Sequence, residues 1–396
     1  MKKGWQTKTL GDLCDVVGGG TPSKDKPAFY SGEIPWATVR DMRQDVITET
    51  EFRITKDAVK SSATNIIPSG NVVIATRVGL GKVCLLGQDT AINQDLRGIV
   101  PRSDKALVVR FLYWWLKSIA DIIVAEGTGA TVQGVKLPFV KSLPIPVPPL
   151  AEQQRIIGLL DEAFEGLATA KANAERNLQN VRALFESHLQ SVFADQWKTG
   201  ELVTLTDLAT DITDGDHLPP PKSPTGVPFI TIGNIVKETR EIDFSDTFMV
   251  PRAYFDALKP YKKPRQGDVL YTVTGSFGIP VIVRDDTEFC FQRHIGLVRP
   301  KPETSSSWLY YLLMSPQLLK QANDGATGTA QKTVSLKLLR SFVVPKVSPK
   351  HQKQAVEKLD ALSEETQRLA RLYERKQAAL EALKKSLLHQ SSTGEL

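Results

Sequence analysis

The sequence predicts an α+β fold in which two tandem copies of one globular domain are separated by long helices. The second half of the 396-residue chain repeats the first, and each copy opens with short strand-like runs between glycines and prolines. One helix is expected to interrupt the strands of each copy, around Val109–Ala125 and around Ser307–Asn323, and each copy closes with a long helical stretch. We therefore predict a first globular domain, a central helix, a second globular domain and a C-terminal helix, at 1–149, 150–196, 197–348 and 349–396.

The duplication is visible in matches that keep the same order along both halves. PWATVRDM, beginning at Pro35, returns as PFITIGNI at Pro228. GNVVIATRVGLG at Gly70 returns as GDVLYTVTGSFG at Gly267, an offset of 197 residues (267 − 70). One such match is weak evidence, but an ordered series at nearly constant spacing indicates a tandem duplication.

The helical stretch after each copy carries apolar residues at heptad spacing, with polar exceptions at Lys171 and His188 in the first. We call each set of residues at this spacing a seam. The first seam contains Ile157, Leu160, Phe164, Leu167, Lys171, Ala174, Leu178, Val181, Phe185, His188 and Val192. The second contains Leu359, Leu362, Thr366, Leu369, Tyr373, Lys376, Leu380, Leu383 and Leu387. Sustained heptads predict a coiled coil. Because a lone helix would leave its apolar stripe uncovered, we expect the two helices to pair antiparallel, with pseudo-twofold symmetry.

Composition excludes several classes of protein. A hydrophobic fraction of 41% with 24% charged residues is ordinary for a globular chain and excludes wholesale disorder. No apolar run approaches the roughly 20 residues that span a bilayer, so we expect a soluble, cytoplasmic protein. Cys14, Cys84 and Cys290 are too far apart for a zinc motif and are expected to be buried thiols. A net charge of +6 is compatible with DNA but does not require it.

Catalytic motifs fail when they are tested residue by residue. Gly81-Lys82 resembles a phosphate loop, but Val83 stands where serine or threonine is needed. The three glycines at 18–20 lack the later glycine of a dinucleotide fingerprint, since Ser23 occupies that place. The five histidines show no ligand spacing, and neither copy contains the loop of amino-methylating DNA methyltransferases. These observations predict a chain that is not itself an enzyme and binds no metal.

Polar loop residues, several of which differ between the aligned copies, are the candidate DNA contacts. The agreeing positions are mainly glycines, prolines and apolar residues, whereas several polar positions change in kind, as two base-reading surfaces on one scaffold would require. Arginine suits guanine and asparagine or glutamine suits adenine, because their donors and acceptors match the major-groove edges. The candidate DNA-binding residues are Arg40, Asp41, Arg43, Arg77, Lys82, Gln94, Arg97 and Gln133 in the first copy, and Asn234, Thr274, Gln292, Arg293, His294, Gln331 and Lys332 in the second.

The half-chain repeat and the junction PPLAEQQRIIGLLD, beginning at Pro148, resemble the specificity (S) subunit of Type I restriction–modification enzymes. The resemblance covers essentially the whole chain. Its most specific element is the proline connector followed by Glu152-Gln153-Gln154-Arg155, which returns in altered form as Lys350-His351-Gln352-Lys353. The second connector departs from the pattern, since Ser348-Pro349-Lys350 replaces Pro148-Pro149-Leu150.

This resemblance implies two target recognition domains, each reading one half of a bipartite, asymmetric DNA sequence. It also implies that the helical regions dock two modification subunits, which use S-adenosylmethionine to methylate adenine N6. Restriction subunits would add ATP- and Mg-dependent translocation and cleavage. No cofactor is then expected on this chain itself.

Two other hypotheses remain open from the residues alone. The first is a non-catalytic coiled-coil scaffold that binds proteins, which predicts no salt-sensitive DNA affinity. The second is a self-contained nuclease or methyltransferase, which the motif census disfavours. The presence of Arg, Gln and Asn in corresponding loops favours DNA recognition over the scaffold.

Overall fold

A computed structural model describes residues 4–129, 134–328 and 331–396. The chain folds into two compact units, the first formed by Met1–Glu175 with Arg375–Leu396 and the second by Arg176–Glu374. Each unit contains one globular domain together with part of each long helix. The predicted α+β class is confirmed. The four-segment division at 149, 196 and 348 stays a prediction, because the units divide within the long helices.

The first globular domain mixes short strands with short helices. Its strands are β1 (Gln6–Thr9), β2 (Cys14–Gly18), β3 (Ile34–Ala37), β4 (Val46–Ile47), β5 (Phe52–Ile54), β6 (Asn65–Ile67), β7 (Val72–Ala75), β8 (Val83–Leu86), β9 (Thr90–Ile92), β10 (Leu96–Pro101) and β11 (Pro144–Val147). Its helices are α1 (Leu10–Leu13), α2 (Lys56–Lys60), α3 (Val109–Ser118), α4 (Ala120–Ala125) and α5 (Leu137–Ser142), with 3-10 turns at Pro27–Tyr30 and Val39–Asp41.

Three sheets organise this domain, in the orders β2-β10-β7-β8-β4, β5-β3-β9-β6 and β1-β11. All four residues of β7 are buried, as expected for a β-branched strand with a neighbour on each side. The apolar run of α3 covers the larger sheet and buries Phe111 through Leu116. The β3–β9 pair is parallel, so the chain leaves both strands at the same edge.

The second globular domain repeats this plan. Its strands are β12 (Leu202–Thr204), β13 (Ala209–Asp214), β14 (Val227–Ile230), β15 (Ile235–Val236), β16 (Glu241–Ile242), β17 (Phe248–Val250), β18 (Val269–Thr272), β19 (Pro280–Ile282), β20 (Cys290–Phe291), β21 (Ile295–Pro300) and β22 (Val343–Pro345). Its helices are α7 (Leu205–Leu208), α8 (Arg252–Asp256), α9 (Ser306–Met314), α10 (Pro316–Gly325) and α11 (Leu336–Arg340), with 3-10 turns at Ile232–Asn234 and Pro260–Lys262. Numbering the long helices in chain order makes them α6 (Leu150–Thr199) and α12 (Pro349–Thr393).

Sheet topology confirms the duplication. The order β13-β21-β18-β19 repeats β2-β10-β7-β8, and β17-β14-β20 repeats β5-β3-β9, including the parallel pair. The first helix of each domain is also capped alike. Thr9 and Asp12 form a capping box at α1, and Thr204 and Asp207 form one at α7.

The predicted helix near 109–125 is divided in both copies. In the first domain α3 ends at Ser118, and the non-helical ψ of Ile119 separates it from α4. In the second domain Ser315 precedes Pro316, and a residue before proline is driven out of the helical region. The expectation of one continuous helix was therefore wrong, although its bounds were close.

Helices α6 and α12 pack antiparallel within each unit. In the first unit the early turns of α6 lie beside the late turns of α12, where Lys171 Nζ is 2.7 Å from Glu381 Oε1. In the second unit Leu189 and Phe193, late in α6, share a core with Ala355 and Leu359, early in α12. Their contacts confirm the predicted pairing of the two helices.

The seam was predicted correctly in its middle and wrongly towards the end of α6. Leu160, Ala174 and Val181 are buried as expected. His188 is exposed, and Leu189 is buried in its place. At that point α6 packs on its globular domain, where Leu189 joins the same core as α9, so heptad spacing no longer selects the buried face.

A repeated glutamine joins each long helix to its globular domain. Gln153 is fully buried; its Oε1 accepts from the Val108 N–H at 2.9 Å, and its Nε2 donates to the Ala106 and Pro148 carbonyls at 3.0 Å. Gln352 makes the equivalent bond with the Ser305 N–H at 2.7 Å. The conspicuous glutamines of the two junctions therefore fix the start of α3 and α9 against the long helices.

A repeated aspartate supports the same junction two turns later. Asp161 accepts from the Arg110 guanidinium at 3.0 Å and from Trp114 Nε1 at 2.8 Å. In the second unit Asp360 accepts from the Tyr311 hydroxyl at 2.6 Å. The partner side chains differ between copies, but the carboxylate is retained at the same place in the helix.

Candidate nucleic-acid interface

Each globular domain has an open cleft where the two parallel strands end. In the first domain β3 and β9 are parallel neighbours, so residues 38–40 and 93–95 emerge side by side. The cleft between them has a volume of about 800 Å³. Its lining includes Arg40 and Gln94, two of the predicted DNA contacts, together with Val78 from the loop after β7.

Framework glycines make the close approach at this edge possible. A Cβ on Gly19 would lie 2.1 Å from the Asn93 carbonyl oxygen, so only glycine fits there. Gly215 occupies the equivalent place, where a Cβ would lie 1.9 Å from the Phe291 carbonyl oxygen. The glycine cluster at 18–20 thus serves strand packing beside the cleft.

Aromatic side chains form one side of the first cleft. The rings of Tyr30, Trp36 and Phe52 pack edge to face, with centroids 5.9 to 6.5 Å apart. Trp36 Nε1 donates to the Gly20 carbonyl at 3.2 Å, which anchors its ring. Phe52 is 40% exposed and offers an apolar surface to whatever enters the cleft.

The opposite side of the first cleft is polar. Asp95 accepts from Asn93 Nδ2 at 3.0 Å and lies 3.7 Å from Arg77 Nε. Gln94 Oε1 accepts from the Thr21 hydroxyl. The pair formed by Arg77 and Asp95 places a guanidinium at the margin of the cleft, with half of its side chain exposed.

The second cleft lies at the matching edge, after the parallel strands β14 and β20, and has a volume of about 550 Å³. Four predicted residues line it, namely Thr274, Gln292, His294 and Gln331. No aromatic side chain other than the histidine lies among its described lining residues. Burial, followed by the nearby charge of Arg293, lowers the pKa of His294, which favours the neutral ring at neutral pH.

Other predicted residues lie beside the clefts. Arg293 is exposed, and its N–H donates to the Asp216 carbonyl at 3.1 Å, next to Gln292. The Lys332 carbonyl accepts from the Gly275 N–H at 3.1 Å, which places Lys332 by Thr274. Arg43 is exposed and donates from Nε to the Arg40 carbonyl.

Two of the predicted DNA contacts form hydrogen bonds that stabilise the turns beside the clefts. Asp41 accepts from the Thr38 N–H at 2.7 Å and the Glu51 N–H at 2.8 Å. Asn234 is buried and accepts from the Thr231 N–H at 2.8 Å, while its Nδ2 donates to two backbone carbonyls. These equivalent residues cap equivalent 3-10 turns, so the structure explains both without DNA.

Arg97 is also engaged within its own domain. Its guanidinium is half-buried and donates to the Leu96 carbonyl at 3.1 Å. Burial, and then the charge of Arg77, lowers the pKa of this guanidinium. Arg77 is thus the better exposed of the two arginines. Lys82 is exposed in the β7–β8 turn, and Gln133 lies outside the described residues.

Reasoning from the sequence missed the aromatic side of the first cleft and its acidic group, Asp95. Trp36 lies in a repeated motif, but its cross-strand neighbour Phe52 is remote in sequence, and their pairing follows from the β3–β5 register. Asp95 adjoins Gln94 and was readable as a loop residue. Its partnership with Arg77 depends on the strands bringing both loops together.

The part of the chain that the structure describes contains neither a candidate metal cluster nor a candidate membrane-spanning helix. No group of three histidine, cysteine or acidic side chains there could hold a metal ion. No helix among those residues has the length and apolar character to cross a membrane. The three cysteines are buried and unpaired as predicted, and burial raises the pKa of Cys14 to about 12.

Both halves of the chain match one protein family. Residues 2–176 and 196–377 match the Type I restriction modification DNA specificity domain, so the chain belongs to that family. With its relatives it falls among the specificity subunits of Type I restriction–modification systems.

Curated relatives show how far the similarity extends. A 162-residue segment is 36% identical to the EcoR124I/EcoR124II specificity subunit of Escherichia coli and covers 39% of this chain and 40% of that one. A second relative, the MjaIX specificity subunit of Methanocaldococcus jannaschii, is 28% identical, with 50% of its length matched. The chain thus spans half or less of these two. The MjaVIII specificity subunit of the same organism is 21% identical across 99% of this chain and 93% of its own.

Solved structures share the fold. The HsdS subunit from Thermoanaerobacter tengcongensis superposes with a TM-score of 0.63 at 20% identity, covering 100% of this chain and 98% of that one. A chain from a structural study of complex assembly in the type I R-M system superposes with a TM-score of 0.80 at 19% identity, covering 100% and 99%. At sequence identities this low, the similarity to these structures supports a shared fold and nothing further.

Proposed function

We propose that this chain is the DNA-binding, non-catalytic specificity subunit of a Type I restriction–modification complex. The observation that carries the proposal is one cleft built twice on the same framework with different side chains on its walls. Each cleft would read one half-site of a bipartite, asymmetric DNA sequence. The Arg, Gln and His side chains in and beside the clefts are suited to base edges and phosphates.

Partner subunits supply the chemistry in this proposal. The helices α6 and α12 would dock two modification subunits, which carry S-adenosylmethionine and methylate adenine N6. Restriction subunits would bring ATP and Mg. The similarity to specificity subunits named in other organisms supports this assignment.

Exchange of one domain tests the proposal. Residues 1–149 are replaced by the corresponding segment of a relative, the complex is reconstituted with its modification subunits, and the methylated adenines are mapped. Since each cleft is contained within one unit, one half-site should change and the other should not. A change in both half-sites, or methylation without sequence preference, would contradict independent reading.

A further inference from the structure

A cationic loop in the second domain has no counterpart in the first. Residues 259–265 read KPYKKPR and contain four cations in seven positions; we call them the basic loop. At the repeat offset of 197 the equivalent residues are 62–68, SATNIIP, which carry no charge. Asn65–Ile67 form strand β6 in the first domain, whereas Pro260–Lys262 form a 3-10 turn in the second, so both the local backbone and the charge belong to one copy only.

A buried ion pair holds the C-terminal half of the basic loop. Asp268 is 2% exposed and lies 2.8 Å from the Arg299 guanidinium. Asp268 also accepts a hydrogen bond from the Arg265 N–H at 2.9 Å. Arg299 in turn donates to the Lys263 carbonyl at 2.8 Å. The backbone of the C-terminal half of the loop is thus fixed before any ligand arrives, which lowers the entropy cost of binding.

The cations have different surroundings: Lys263 Nζ donates to the Asp256 carbonyl at 3.1 Å and lies over the Phe255 ring, whereas Lys259 and Arg265 extend further into solvent. Lys259 and Arg265 are exposed, and Lys262 and Lys263 are partly exposed. Within the described ranges none of the four forms a salt bridge. The nearby carboxylates of Asp256 and Glu288 are instead paired with Arg252.

The basic loop is continuous with the second cleft. Lys262 Nζ lies 3.4 Å from the Gly215 carbonyl oxygen. Gly215 precedes Asp216, which bridges to Gln292 in the cleft and accepts from the Arg293 N–H. One turn therefore has a predicted base reader on one side and the basic loop on the other.

We propose that the basic loop binds DNA phosphates beside the half-site read by the second cleft, and that it contributes affinity without sequence preference. This inference rests on the proposed function. Phosphodiesters fit better than an acidic peptide because the cations continue from a cleft already suited to base edges. Tyr261, 37% exposed between the lysines, adds a hydroxyl that can donate to phosphate oxygen.

Salt dependence measures the number of phosphate contacts directly. The full chain with its modification subunits is titrated with DNA carrying both half-sites between 50 and 200 mM salt. For the triple variant Lys259→Ala/Lys262→Ala/Arg265→Ala we expect the slope of log K against log salt to fall by about 2.7. The wild-type complex should then lose about 40-fold more affinity than the variant across that range. The methylated sequence should stay unchanged.

A matched variant controls for net charge. Lys320→Ala/Lys337→Ala/Lys346→Ala removes three exposed cations of the same unit that lie on α10, on α11 and after β22, and it should keep the wild-type slope. If the first triple variant is poorly folded, Arg265→Gln alone, whose recorded contact is through its backbone, should lower the slope by about 0.9.

The two proposals fail in different ways. A wild-type complex that binds all DNA alike would remove the proposed function. The basic-loop inference is overturned if its variants keep the wild-type slope, or match the control, in a complex that still discriminates its site.

Discussion

The two clefts occupy one place in a duplicated framework and differ in chemistry. Both follow a parallel strand pair, both depend on a glycine in close contact with the neighbouring strand, and both rest on a 3-10 turn capped by its last residue. The first cleft is walled by aromatic rings and an Arg77–Asp95 pair. The second has small polar groups, a histidine and the adjoining basic loop. Backbone geometry was retained after duplication, whereas the surfaces offered to a ligand diverged.

The largest expected effect tests whether the two units are independent bodies. Gln153→Ala leaves one backbone donor and two backbone carbonyls without their partner in the first unit. An unsatisfied buried polar group costs about 1–3 kcal/mol, so we expect a local loss of about 3 kcal/mol. Hydrogen exchange of the α3 amides measures it, and the α9 amides should keep their protection.

The reciprocal substitution and a neighbouring control complete this comparison. Gln352→Ala should expose the α9 amides and spare those of α3. Gln154→Ala and Gln354→Ala alter exposed glutamines next to each junction and should leave both regions protected. Equal loss of protection in both units after one substitution would show that they open together.

The next prediction concerns Arg77, whose half-exposed side chain pairs with Asp95. Arg77→Ala should weaken binding to DNA with an intact first half-site by about 1–3 kcal/mol, as expected for a base contact. Arg102→Ala is the matched control, because Arg102 also pairs with an aspartate, Asp15, and is similarly exposed, at 52% against 49%. Arg102 follows the C-terminal end of β10, at the opposite end of that strand from Arg77 and the cleft. Competition against DNA with either half-site scrambled measures both, and equal effects of the two substitutions would remove Arg77 as a reader.

A smaller effect is expected from the aromatic wall. Phe52 is exposed in the first cleft, whereas its equivalent Phe248 stacks on Phe229 at 5.0 Å with Lys222 Nζ 5.0 Å above its ring. Phe52→Ala should therefore cost about 1 kcal/mol of affinity for the first half-site through lost apolar contact, such as with a thymine methyl. Phe248→Ala should lower stability and leave discrimination of the second half-site nearly unchanged. If Phe52→Ala lowered stability and left affinity for the first half-site unchanged, the exposed ring would have no part in recognition.

The sequence was sufficient for the framework because its signals are periodic or repeated. Heptads predicted α6 and α12, and ordered matches predicted two domains of one topology. The same periodicity misplaced His188, because burial there is decided by α9 and not by the partner helix. Burial against a globular domain carries no fixed period along a helix.

The candidate site was less predictable, since its groups meet only through strand pairing. Aligned differences led to Arg77 and Thr274, which lie beside the first cleft and in the second. They also led to Asn234, whose hydrogen bonds are satisfied within its own turn. A list of polar differences cannot separate a side chain that caps a turn from one that faces a ligand. The four cations of the basic loop are visible in the sequence. A comparison of the two copies does not select them, because the first copy has no charged residues at the equivalent positions.

The smallest expected effect concerns the histidine ring in the second cleft. Burial and the charge of Arg293 lower the pKa of His294, so the free ring is neutral at pH 7. A DNA phosphate nearby favours the protonated ring and raises that pKa again. The bound state then holds more protons than the free state, so affinity for the second half-site should rise as pH falls from 7.5 to 5.5. We expect about a threefold gain, below the tenfold per pH unit that one proton allows.

Two variants decide whether this proton belongs to His294. His294→Gln should remove the pH dependence of second half-site binding and leave that of the first half-site as it was. His217→Gln serves as the control, because His217 lies in the same unit outside the cleft lining, with its Nε2 2.8 Å from Asp214 Oδ2. The measurement is the affinity ratio for two DNAs, each with one half-site scrambled, across the pH range. If the ratio stays flat with pH, His294 does not approach a phosphate. If His217→Gln abolishes the dependence instead, the charge acts outside the cleft, and the contrast between the two clefts would then rest on their other side chains.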